Sequence, residues 1–127
     1  MENLRLNEVP DAPFYPRVDF NAETGVCEIV GESYMEETHK FFLPLINWLK
    51  NYISEKNGPV TLNLKLTYFN TSSSRQILDM LDVLKSYQDK GGEVTINWYY
   101  DPEDPDMQDE VEDFTIETGM EINLLSL

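Results

Sequence analysis

The segment VTLNLKLTY, Val60 to Tyr68, alternates apolar and polar side chains without a break. Successive side chains of a strand point to opposite faces, so this pattern predicts a strand with one face on a core and the other on solvent or polar groups. A strand covered by helices on both faces would read as a continuous apolar run instead. VTINW, Val94 to Trp98, repeats the alternation. Between the two, SRQILDMLDVLKSYQDKGG places Ile77, Leu81 and Leu84 on one helical stripe, widened by Leu78, Met80, Val83 and Tyr87 and stopped by Gly91-Gly92. Strand, helix, strand in that order predicts parallel strands joined by a right-handed crossover. The expected class is α/β, a sheet with helices mainly on one side.

The flanking segments extend this frame. Arg17 to Phe20 and Val26 to Val30 flank the turn-like NAETG and read as a hairpin. EETHKFFLPLINWLKNYISEKNG carries Phe42, Leu45, Ile46, Leu49 and Ile53 at helical spacing. Pro44 cannot donate a backbone hydrogen bond, so the start of that helix is expected to be kinked or loosely wound. Asp101 to Gly119 offers Met107, Val111 and Phe114 as a weaker helical stripe, and Glu121 to Leu125 reads as a last strand. Pro10, Pro13 and Pro16 mark residues 1–16 as an irregular arm, its end a candidate to join the sheet, leaving 17–127 as one domain. An exposed strand edge, or the Trp48 and Tyr52 face of the first helix, is a candidate dimer contact.

Charge narrows the function classes. Nine Lys and Arg stand against 24 Asp and Glu, a formal charge of -15, which opposes encounter with nucleic acid and anionic membranes. No stretch approaches the roughly 18 apolar residues of a membrane span, and the opening MENLRLNEVPDAPFYP lacks a signal-peptide pattern, so a cytoplasmic location is expected. A single cysteine, Cys27, and a single histidine, His39, exclude an internal disulfide and zinc-type spacing. Cys27 alternates with Ile29 in a strand and reads as a small buried residue rather than a nucleophile. His39 reads as a surface residue with no visible orienting partner.

Two segments invite a site. DPEDPDMQDEVED from Asp101 holds eight carboxylates, and Glu112 falls twelfth as in an EF-hand loop. Asp106 replaces the required glycine and Pro105 takes a ligand position, so the run reads as the acidic start of a helix. The second segment, YFNTSSSRQ at Tyr68 to Gln76, sets Thr71, Ser72, Ser73 and Ser74 between a strand and a helix. Ser73 followed by Gln76 fits a capping box. Capping needs one hydroxyl, and the surplus lies at the sheet edge where α/β proteins place functional loops. A phosphoryl group there would meet the helix N-terminus, with Arg75 nearby. The residues alone leave capping and phosphate contact both open.

IVGESYMEET at Ile29 to Thr38, FFLPLINWL at Phe41 to Leu49, LNLKLTYFNTSSS at Leu62 to Ser74 and GGEVTINWYYD at Gly91 to Asp101 together resemble the SiaC family of bacterial regulatory phosphoproteins. The resemblance implies a fold similar to anti-sigma factor antagonist (STAS) domains, a mixed β-sheet with helices packed mainly on one face. It also implies phosphorylation of Thr71 by a serine/threonine kinase, removal of the phosphate by a PP2C-type phosphatase, and binding of the unphosphorylated form to a diguanylate cyclase. Asn70 and Ser72 are then expected to shape the loop, Ser73 to cap the helix and Arg75 to steady the phosphate. No catalytic residue, metal or cofactor is implied. The chain has Ser33-Tyr34-Met35-Glu36-Glu37 where many relatives read Ser-Tyr-Pro-Glu-Asn. The alternative expectation is a STAS-like interaction module in which the hydroxyl run only caps the helix.

Overall fold

The computed structural model describes residues 1–6 and 15–127. Its elements run β1 (Leu4–Leu6), β2 (Arg17–Phe20), β3 (Val26–Ser33), α1 (Thr38–Glu55), β4 (Val60–Phe69), α2 (Thr71–Asp89), β5 (Val94–Tyr100), α3 (Pro105–Thr118) and β6 (Asn123–Ser126). The strands form one six-stranded sheet in chain order. β1, β2 and β3 are antiparallel neighbours, while β3, β4, β5 and β6 are parallel. Each crossover steps to the next strand in the same direction, so right-handed connections place all three helices on one face. Helices on one side of the sheet are as the alternation predicts, and the mixed α/β class is as the family resemblance implies.

The core lies between that face and the helices. Phe20, Cys27, Ile29, Leu62, Leu64, Ile96 and Trp98 from the sheet meet Phe42, Leu45, Leu49, Ile77, Leu81 and Leu84 from α1 and α2, all fully or almost fully buried. Truncating one such leucine to alanine typically costs about 2–5 kcal/mol. Burial, with Asp19 nearby, pushes the Cys27 thiol far up, which leaves it unreactive at neutral pH. The opposite face is polar and internally bonded. Asn123 donates to Asn97 at 3.0 Å and Asn97 to Asn63 at 2.9 Å, an amide ladder across three strands. Beside it Glu28 accepts from Arg17 at 3.0 Å and Lys65 at 3.3 Å, and the Lys65 ammonium lies 5.0 Å from the centre of the Tyr99 ring.

Three expectations change. The core alternation of β4 stops at Leu66: Tyr68 is 52% exposed and Phe69 is buried. Gly31 pairs with Leu66 but Glu32 with Tyr68, so Thr67 is an extra residue that reverses the phase of the strand. Within the arm read as irregular, Leu4–Leu6 form a strand, paired from Leu4–Phe20 to Leu6–Val18; residues 7–14 lie outside the described residues. Three residues beside a proline-rich run are too few for a periodic signal. Trp48 and Tyr52 do not form a free face. Their rings stack at 5.5 Å, Trp48 Nε1 donates to the Glu2 carbonyl at 2.9 Å, and both side chains are buried.

The first turn of α1 is loosely held. Glu37 makes no side-chain cap, the Phe41 N–H reaches the Glu37 carbonyl at 3.4 Å, and Pro44 lies inside the helix. Asp104 caps α3 by accepting from the Met107 N–H at 3.2 Å, Pro105 opens the helix, and Gly119 closes it at φ 71°.

Candidate functional site

Parallel strands β3, β4 and β5 end at one edge of the sheet, and the segments entering α1, α2 and α3 gather there. The hydroxyl run opens α2 at this edge. Asn70, in extended conformation, is the helix cap: its Oδ1 accepts from the Ser73 N–H at 2.8 Å. The capping role expected of Ser73 therefore belongs to Asn70, whose carbonyl also accepts the first helical bond from Ser74 N–H at 2.9 Å.

Ser73 is fully buried and does something else. Its hydroxyl donates to the Ser33 carbonyl at 2.8 Å and accepts from Ser33 Oγ at 2.8 Å. The Asn70 N–H donates to the same carbonyl at 3.0 Å, and Asn70 Nδ2 donates to the Met35 carbonyl at 3.2 Å. The end of β3 is thus latched to the start of α2. Met35, which departs from the Ser-Tyr-Pro-Glu-Asn pattern, is buried here with its sulfur 3.7 Å from Ser33 Oγ.

The remaining hydroxyls divide by exposure. Ser72 is exposed and donates to Asn70 Oδ1 at 3.3 Å. Ser74 is half-buried, and Thr71, the first residue of α2, is exposed. Among the described residues the Thr71 hydroxyl makes no hydrogen bond. Arg75 stands one turn along on the same side of the helix. It is 72% exposed and only loosely paired with Asp79, at 3.6 Å, so a new anion can recruit it.

Thr71, Ser74 and Arg75 form one wall of a groove of about 430 Å³ between α2 and α3. Phe69, Leu78 and Phe114 supply its apolar part, and Glu110, Asp113 and Glu117 form the opposite wall. Partial burial, then the charges of Asp104, Asp106 and Asp113, push the Glu110 carboxyl above its ordinary range. Three carboxylates thus face the exposed threonine across the groove, and Arg75 is the one cation among the described residues that line it. The sequence expectation names Thr71, through the family resemblance, and Arg75, and it omits this acidic wall, although the spacing of Glu110, Asp113 and Glu117 places them on one helical face. Among the described residues no group of three or more His, Cys, Asp or Glu side chains has metal-binding geometry. No helix among them is long and apolar enough to cross a membrane.

Comparison with known proteins gives concordant matches. An uncharacterised protein of Pseudomonas aeruginosa is 28% identical over 106 residues, 84% of each chain. The structure of apo-SiaC from Pseudomonas aeruginosa superposes with a TM-score of 0.89 at 25% identity, covering 98% of this chain and 99% of that one. SiaC in the crystal structure of the diguanylate cyclase SiaD in complex with its activator SiaC, also from Pseudomonas aeruginosa, gives a TM-score of 0.90 at 24% identity, covering 98% and 99%. The model of the SiaC family of regulatory phosphoproteins matches residues 9–127, and this chain belongs to that family.

Proposed function

We propose that this protein is a non-enzymatic signalling switch whose state is the phosphorylation of Thr71, set by a serine/threonine kinase and reset by a PP2C-type phosphatase. The observation that carries the reading is the division of the hydroxyl run: Ser73 is consumed by the latch, Ser72 is tied to Asn70, and Thr71 is left exposed and unbonded at the mouth of a groove. Capping does not account for the run, because Asn70 supplies the cap.

A phosphate on Thr71 adds about -1.5 to -2 charges and three acceptor oxygens. The α2 N-terminus and Arg75 favour it, whereas Glu110, Asp113 and Glu117 oppose it across the groove. The modification thus changes both the shape and the potential of a surface that is apolar at its centre. A partner docked on the unmodified groove loses its fit. SiaC, a member of this family, is described as the activator of the diguanylate cyclase SiaD. The proposed partner here is of the same kind, bound by the unphosphorylated form in the cytoplasm.

The test uses wild type, Thr71→Ala and Thr71→Glu proteins with kinase-containing extract of the native cells and radiolabelled ATP. Labelling is expected for wild type alone, and a diguanylate cyclase from the same cells is expected to bind Thr71→Ala and not Thr71→Glu. Full labelling of Thr71→Ala would move the site elsewhere.

A further inference from the structure

A second surface, which shares Asp113 and Glu117 with the acidic wall opposite Thr71, is built from two complementary parts of the helical layer. The first is a groove of about 260 Å³ between α1 and α2, lined by Ile53, Val83 and Tyr87 with Lys50 and Lys90 at its rim and Ser86 beside them. Lys50 and Lys90 are exposed, and neither makes an ion pair among the described residues. Asp89, the neighbouring carboxylate on α2, is already paired with Lys85 at 3.1 Å. In a chain of -15, Lys50 and Lys90, without an ion pair among the described residues, set two cations at the rim of an apolar groove.

The second part is the crest of α3. Ile116 is 78% exposed, the most exposed large apolar side chain among the described residues. It points away from the buried stripe of Met107, Val111, Phe114 and Thr118. Its helical neighbours Asp109, Glu112, Asp113 and Glu117 are exposed carboxylates with no ion pair among the described residues. An apolar knob ringed by acids thus matches an apolar hole flanked by unpaired lysines, on the same outer face of one molecule.

We propose that the occupant of the α1/α2 groove is the α3 crest of a second copy of this chain. All three helices lie on one face of the sheet and run in the same direction. A two-fold axis in the plane between two facing helical layers therefore makes the contact twice and closes the assembly. The net charge of each copy opposes association. The contact must consequently bring cations to carboxylates, as Lys50 and Lys90 against the α3 acids do.

Sedimentation equilibrium over a wide range of protein concentration tests this. Wild type is expected to dimerise, and Ile116→Asp, at an exposed position, and Val83→Asp, at a half-buried one, are each expected to raise the dissociation constant by about tenfold or more. A doubly substituted groove (Lys50→Glu with Lys90→Glu) and a doubly substituted crest (Asp109→Lys with Glu112→Lys, neither of which lines the Thr71 groove) are each expected to abolish self-association. Mixed together, they are expected to form a heterodimer, because both of its contacts again join opposite charges. Circular dichroism confirms folding of each variant. A wild-type protein that stays monomeric at every concentration, or a dimer indifferent to all these changes, would overturn the proposal.

Discussion

Ser73 Oγ donates to the Ser33 carbonyl at 2.8 Å inside a fully buried site, joining two residues forty positions apart in the chain. The bond fixes the loop after β3 against the first turn of α2. It also removes Ser73 from the set of modifiable hydroxyls. Ser73→Ala leaves Ser33 Oγ without its buried acceptor, and is expected to destabilise the protein by about 1–3 kcal/mol in urea unfolding. Thr71→Ala, which removes an exposed methyl and an unbonded hydroxyl, is expected to change stability by less than about 0.5 kcal/mol. Equal losses from the two substitutions would contradict this division of labour.

Asn70 holds both the cap and one half of the latch. Asn70→Ala is expected to cost about 0.5–2 kcal/mol for the cap alone. Asn70→Ser restores a capping oxygen but not the amide that donates to Met35, so it should recover only part of the loss. Hydrogen exchange at the Ser73 amide reports the cap directly.

Two glycines of left-handed conformation make a contrasting pair. Gly25, at φ 76°, has the Pro59 carbonyl oxygen and Tyr52 Oη in the space a Cβ would occupy, while Gly91, at φ 97°, has nothing within 4 Å. Both alanine variants bear the backbone penalty, about 1 kcal/mol. Gly25→Ala must in addition displace the β3–β4 junction, and thermal unfolding should show it to be much the weaker protein. Similar melting temperatures would mean that the junction yields.

Glu28 gives the protein part of its acid sensitivity. Partial burial raises its pKa, but hydrogen bonds and charges from Arg17 and Lys65 outweigh this and hold the carboxyl below its ordinary value of 4.5. A depressed folded-state pKa contributes stability that is present above the unfolded value and lost as pH falls through the folded one. Glu28→Gln is therefore expected to be less stable than wild type at neutral pH, with the difference shrinking between about pH 5 and pH 3. A difference constant across that range would assign the loss to packing.

How much of this was legible in the sequence depended on whether the signal was local. The alternation from Val60 to Leu66 and the stripe of Ile77, Leu81 and Leu84 each report the face on which a core must form, and the structure buries them all. Tyr68 was misplaced because the extra residue at Thr67 is defined by its pairing with β3, which lies far away in the chain. Ser73 was mistaken for the cap because Ser-x-x-Gln fits the motif as written; the competing cap, Asn70, and the distant Ser33 decide its role. The acidic wall facing Thr71 arises only when α3 packs beside α2. The hydroxyl run stood out because four hydroxyls exceed what one cap requires, and the resemblance to the SiaC family is what singled out Thr71 within it.

The central claim is that Thr71 carries a reversible phosphate. Intact-mass analysis and phosphosite mapping of the protein purified from its native cells, with and without a PP2C-type phosphatase, tests it most directly. The account predicts a species heavier by one phosphate, mapped to Thr71 and lost on phosphatase treatment. A protein unmodified under every growth condition, or one whose phosphate maps outside the α2 N-terminus, would contradict it.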